Sequence, residues 1–166
     1  MGRLPLDHIR SVLESKADRA AKAESIAEVI RRAGGYRWVG IYEVAGDEIR
    51  IIAWSGPGEP THPRFPVSQG LCGGAVRSRS TVVVGDVTKH PAYLTTFGST
   101  RSEIVVPVTH PATGTVLGVI DVESERLDAF TEVDRVCLEA CASALTSLLW
   151  PPLAPGGLSP NPSATD

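Results

Sequence analysis

At 166 residues, with 42% hydrophobic and 21% charged residues and a formal net charge of −3, the chain has the composition of an ordinary globular domain. That composition excludes a disordered or fibrous chain and gives no strong electrostatic pull toward nucleic acid. The length is enough to bury a core without disulfide or metal staples.

Leu6 to Ala33 carries apolar residues at helical spacing, first Ile9, Val12 and Leu13 and then Ile26, Val29 and Ile30. This predicts one long helix or two shorter ones, stopped by Gly34-Gly35. Tyr36 to Val44 and Glu48 to Trp54 are rich in aromatic and β-branched residues, and Ala45-Gly46-Asp47 joins them as the turn of a β-hairpin. Ser55 to Arg64 is punctuated by proline and glycine and reads as an irregular loop, leading into a short extended piece, Phe65-Pro66-Val67. Gly70 to Ser78 reads as a short helix. Three more strands are expected at Thr81 to Val84, Glu103 to Val108 and Thr115 to Val122, separated by a long loop (Asp86 to Ser102) and a tight turn (Pro111 to Gly114).

The last helix is expected to begin at Thr131, where Thr-Glu-Val-Asp has the form of a capping box. Its apolar stripe is read as Val133, Val136, Cys137, Ala140, Ala144 and Leu148, ending at Pro151-Pro152. Residues 151–166 are rich in proline, glycine and serine, and a disordered tail is expected. The pattern predicts an α/β (α+β) domain: a mostly antiparallel central sheet of about five to six strands with helices on both faces. The expected organisation is an N-terminal helical segment over 1–22, the domain over 23–150 and the tail over 151–166.

No run approaches the roughly 18 apolar residues of a membrane span, and Met1 to Arg10 has no apolar signal core. A cytoplasmic protein without membrane contact is expected. Three cysteines, Cys72, Cys137 and Cys141, fit a reducing compartment better than a disulfide framework. The four histidines, His8, His62, His90 and His110, lack the spacing of a zinc site on one element, so neither metal nor cofactor is expected. Arg31-Arg32 and Arg77-Ser78-Arg79 are short solvated clusters at helix ends and indicate no nucleic acid.

Four segments carry a family resemblance: Trp38-Val39-Gly40-Ile41-Tyr42, Gly70-Leu71-Cys72-Gly73, Arg101-Ser102-Glu103-Ile104-Val105-Val106-Pro107 and Gly118-Val119-Ile120-Asp121-Val122-Glu123-Ser124. In order and spacing, from about Ala23 to Leu148, they resemble the free methionine-(R)-sulfoxide reductase branch of the GAF family. The resemblance implies the GAF fold and a pocket between the sheet and its long loops. There a free amino acid or methionine sulfoxide would be enclosed by Trp38, Tyr42, Glu103, Asp121 and Glu123. Chemically, carboxylates hold an ammonium group by charge-assisted hydrogen bonds while aromatic faces pack the side chain. Aromatic residues two apart on a strand also build ordinary cores. Glu103 and Asp121 interrupt apolar runs, where an unpaired charge is costly. Asp121 and Glu123 share a strand face, so burial and like charge should raise at least one carboxyl pKa.

The resemblance further implies a thiol that attacks the sulfoxide, a resolving cysteine, and a thioredoxin-type or small-thiol reductant. Of the three cysteines usual in that branch only Cys72 is present; His62 stands ten residues before it and Thr96 stands in the long loop. Which of the three positions attacks and which resolves stays open. Cys72 is either a redox thiol, favoured as thiolate by a helix start and by His62, or a packing residue. Cys137 and Cys141, four apart on the last helix, are expected to be core. Three functions remain in play: a reductase with a reduced cysteine set, a non-catalytic binding or sensor module, and an enzyme of different chemistry using His62 as acid or base. A homodimer paired through the terminal helices is also expected.

Overall fold

The computed structural model describes residues 5–150. The expected tail at 151–166 therefore lies outside the described residues. Two helices open the fold, α1 (Leu6–Glu14) and α2 (Arg19–Gly34). The chain turns extended at Ser15, and Asp18 restarts the helix by accepting a 2.9 Å hydrogen bond from the Ala21 amide. Gly35, in the left-handed region at φ 64°, ends α2.

The sheet is built from β1 (Trp38–Ala45), β2 (Glu48–Ser55), β3 (Arg64–Pro66), β4 (Val82–Val84), β5 (Ser102–Thr109) and β6 (Val116–Ser124). All six strands pair antiparallel in the order β3-β2-β1-β6-β5-β4, so β1, β6 and β5 lie inside the sheet. Between β3 and β4 comes α3 (Gly70–Ser78), and after β6 come α4 (Glu132–Ala144) and α5 (Thr146–Leu149).

The two sheet faces bury different chemistry. Against one face, α1, α2, α4 and α5 enclose an apolar core that includes Ile9, Ile26, Ile41, Ile104, Ile120 and Leu138. Against the other, α3 and the loops cover Trp38, Tyr42, Leu71, Cys72, Val105 and Val119. All buried carboxylates among the described residues belong to β5 and β6.

The last helix departs from expectation in two ways. The capping box forms, with the Thr131 hydroxyl accepting from the Asp134 amide and the Asp134 carboxylate accepting from the Thr131 amide. The stripe read as Val133, Val136, Cys137, Ala140 and Ala144 is not the buried one, however: Val133 and Val136 are 72% and 55% exposed. The sheet is met by Leu138, Cys141, Ala142 and Leu145, an i, i+3, i+4, i+7 set on the opposite side. Cys141 is thus core, as expected, whereas Cys137 is half-buried. The helix also stops at Ala144, and a turn at Leu145 starts α5. That redirection lets Leu145, Leu148 and Leu149 all reach the core.

The reassigned face has a direct test. Leu138→Ala should cost about 2–5 kcal/mol of unfolding free energy through cavity formation, while Val133→Ala should stay within about 0.5 kcal/mol. Urea titration of both variants measures the contrast.

Candidate functional site

Strand register assembles the site. Across β1 and β6, Trp38 pairs with Glu123 and Gly40 with Asp121; across β5 and β6, Glu103 pairs with Glu123 and Val105 with Asp121. Alternation puts Trp38, Gly40 and Tyr42 on one face with Asp121, Glu123 and Glu103. Gly40 is required by this crowding: a Cβ there would meet the Trp38 ring at 2.4 Å and the Tyr42 ring at 2.9 Å. The indole can therefore lie along the strand.

Two further elements close over this face. Near the start of α3, Cys72 brings its Sγ to Glu103 and Asp121, with the donor atoms of all three within 4.8 Å of one another. The loop before β5 contributes Phe97, whose ring meets Trp38 edge-on at 5.4 Å, and Thr100, whose hydroxyl donates to Glu123 Oε2. Trp38 Nε1 donates to the Gly58 carbonyl at 3.2 Å, and the Thr61 hydroxyl donates to the Thr96 carbonyl. The β2–β3 loop and the β4–β5 loop are thereby tied together over the sheet.

The result is a buried, acidic interior. Glu103, Asp121, Glu123 and Cys72 are 3%, 2%, 2% and 4% exposed. Glu103 Oε2, Asp121 Oδ1, Glu123 Oε1 and the Tyr93 hydroxyl are buried without a hydrogen-bond partner. Among the described residues no arginine or lysine pairs with any of these carboxylates. The large surface clefts lie elsewhere, such as one of about 570 Å³ between Arg79, Pro107, Arg135 and Glu139.

The match to the GAF domain model runs over residues 18–148 and so takes in every element of this site. The chain belongs to the GAF domain family. This GAF domain is 30% identical over 131 residues to GAF domain-containing protein A of Dictyostelium discoideum, covering 78% of the chain and 80% of that protein. It is 34% identical over 109 residues to the free methionine-R-sulfoxide reductase of Saccharomyces cerevisiae, covering 65% of the chain and 60% of that protein. The X-ray structure of the free methionine-R-sulfoxide reductase of Neisseria meningitidis in complex with its substrate superposes with a TM-score of 0.78 at 37% identity. That match covers 87% of this GAF domain's chain and 85% of the other. No helix among the described residues is long and apolar enough to cross a membrane.

Every carboxyl in the cluster is pushed upward, first by burial. Glu103 is raised further by the charge of Asp121 and then of Glu123; Asp121 is raised by Glu123. Hydrogen bonds from Glu103 and Cys72 pull Asp121 back down, making Asp121 the acceptor of both. Glu123 is raised by burial and pulled back in part by the hydrogen bond that Thr100 donates to it. Cys72 departs from the helix-start expectation of a favoured thiolate: burial, then Asp121, Glu103 and Glu123, push its thiol well above the usual range. Full desolvation beside carboxylates outweighs a helix dipole of about half a charge.

Sequence reasoning brought Trp38, Tyr42, Cys72, Glu103, Asp121 and Glu123 to one place. His62 lies half-buried in the β2–β3 loop and is not one of the clustered groups. Tyr93, Phe97 and Thr100 were missed. The available signal was two aromatic residues in an otherwise polar loop, which had no periodicity to say where they point.

The pKa directions fix a pH dependence. A carboxyl raised in the folded state contributes stability that is full below its unfolded value, about pH 4, and is lost as pH rises through the folded value. Unfolding midpoints should therefore fall between pH 5 and pH 8. The difference should shrink in Glu103→Gln, which keeps the shape but cannot ionise. Thermal denaturation at the two pH values measures both effects.

Proposed function

We propose that this GAF domain binds a free amino acid of the methionine sulfoxide type and acts by binding rather than by thiol turnover. The observation that carries the reading is the set of buried, unpartnered oxygens on Glu103, Asp121 and Glu123, with no arginine or lysine among the described residues paired to them. An α-ammonium group supplies the charge and the three donors that such oxygens lack. Trp38, Tyr42 and Phe97 offer ring surface for the side chain. The likeness to a reductase solved with its substrate supports the same ligand class. In this reading Cys72 is a neutral thiol that donates to Asp121.

A second reading is supported by the nearness of Cys72 to Glu103, whose carboxyl pKa is pushed up by burial and by the charge of Asp121. The Cys72 sulfur would take the sulfoxide oxygen, leaving Cys72 as a sulfenic acid and methionine as the sulfide. Two equivalents of an external thiol, a small thiol or a thioredoxin-type protein, would then restore the thiol and leave as disulfide and water. The raised Cys72 pKa and the residues His62 and Thr96 at the other two cysteine positions weigh against it.

Calorimetry with L-methionine-(R)-sulfoxide, paired with a methionine-release assay in excess dithiol, separates the two. The binding reading predicts saturable 1:1 heat, an affinity lowered at least ~10-fold in Asp121→Asn, and no methionine. Absence of binding overturns it, and methionine release that disappears in Cys72→Ser transfers the assignment to the reductase.

A further inference from the structure

A thiol and several carboxyl oxygens converging in a buried interior suit a second class of ligand besides an ammonium group. Cys72 Sγ and one carboxylate oxygen each from Glu103 and Asp121 lie within 4.8 Å of one another, and all three residues are buried. A separate residue points to the same place. Glu123 stands outside that trio, is 2% exposed, and faces Glu103 across the strand pair. Its Oε2 is held by Thr100, while its Oε1 has no partner.

We propose that Cys72, Glu103 and Asp121 form a binding site for one divalent cation of the zinc class, with Glu123 Oε1 as the fourth donor. Tetrahedral zinc takes thiolate sulfur at about 2.3 Å and carboxylate oxygen at about 2.0 Å, which sets donors roughly 3.5 Å apart. The donors of Cys72, Glu103 and Asp121, within 4.8 Å of one another, would have to draw together to that spacing, and Glu123 would have to turn its free oxygen toward them. Two carboxylates sit on neighbouring interior strands and the thiol on a helix packed against them, so the donors are held by regular structure rather than by loops. One sulfur among oxygens selects zinc, cobalt or iron over magnesium and calcium, which prefer oxygen alone. On binding, the Cys72 thiol proton and the protons held by the ligating carboxyls leave to solvent, and the dication offsets the thiolate and carboxylate charges so formed. Thr100, donating to the far oxygen of Glu123, is the outer hydrogen bond that orients a ligating carboxylate. Histidine spacing, the usual sequence sign of zinc, has no part in this site, because its donors come from three elements distant in the chain.

The site goes beyond amino-acid binding and does not depend on it. The test is titration of the full chain with Co²⁺ in the absence of any amino acid, followed by back-titration with Zn²⁺. One equivalent of cobalt should develop a near-ultraviolet thiolate-to-cobalt band that zinc abolishes. The band should be missing in Cys72→Ser, and cobalt affinity should fall at least ~100-fold in Asp121→Asn. Glu103→Gln, which preserves volume, should also weaken cobalt and serves if either other variant unfolds by circular dichroism. A folded wild-type protein with no thiolate band at millimolar cobalt overturns the site, as does an unchanged affinity in both carboxylate variants. Amino-acid binding measured with chelator present answers separately, so either assignment can fail alone.

Discussion

Three carboxyl groups on two adjacent interior strands, with no arginine or lysine among the described residues paired to them, are the constraint around which the rest of the structure is arranged. Burying a lone carboxylate costs several kcal/mol unless it is protonated, hydrogen-bonded or paired. Hydrogen bonds meet that cost in part. Asp121 accepts from Glu103 and Cys72, Glu123 accepts from Thr100, and one oxygen of each acid is left without a partner. Both ligand classes proposed above are cations at the atom that enters, the charge this arrangement lacks.

The other face of the sheet explains how the fold tolerates such a site. There Ile26, Ile30, Ile41, Ile104, Ile120, Leu138 and Leu145 pack without any buried charge, under helices from both ends of the chain. The same central strands thus contribute apolar residues to one layer and acids to the other, by simple alternation: Ile104 and Val106 face the helices while Glu103 and Val105 face the site. Apolar packing and the acidic cluster are divided between the two faces of β5 and β6. A substitution on one face can consequently alter binding without removing core contacts on the other.

The hairpin, the short helix at Gly70 and the three later strands were legible because two-residue alternation, turn glycines and β-branched runs all agree there. Glu103 and Asp121 were legible as acids inside apolar runs, and the register of β5 against β6 explains why that signal was sound. Orientation of α4 was not legible. Its Val133, Val136 and Cys137 side and its Leu138, Cys141 and Ala142 side are both apolar, and only the position of the sheet chooses between them. Nor was the covering loop, whose Tyr93, Phe97 and Thr100 reach the site through an irregular path that no period describes. The surroundings of Cys72 were not legible for a related reason. The helix start is local and visible in sequence, whereas the carboxylates that outweigh it arrive from residues 103, 121 and 123.

The central claim is that this interior holds its acids protonated until a cation arrives. Carbon-13 NMR of the aspartate and glutamate side-chain carboxyls, followed through a pH titration of the unliganded protein, addresses it directly. The account predicts resonances from Glu103 and Asp121 that titrate well above the ordinary carboxylate range and are lost in Glu103→Gln and Asp121→Asn respectively. If all three acids titrate together in the ordinary range near pH 4, they are neither desolvated nor coupled, and the account of the site is wrong.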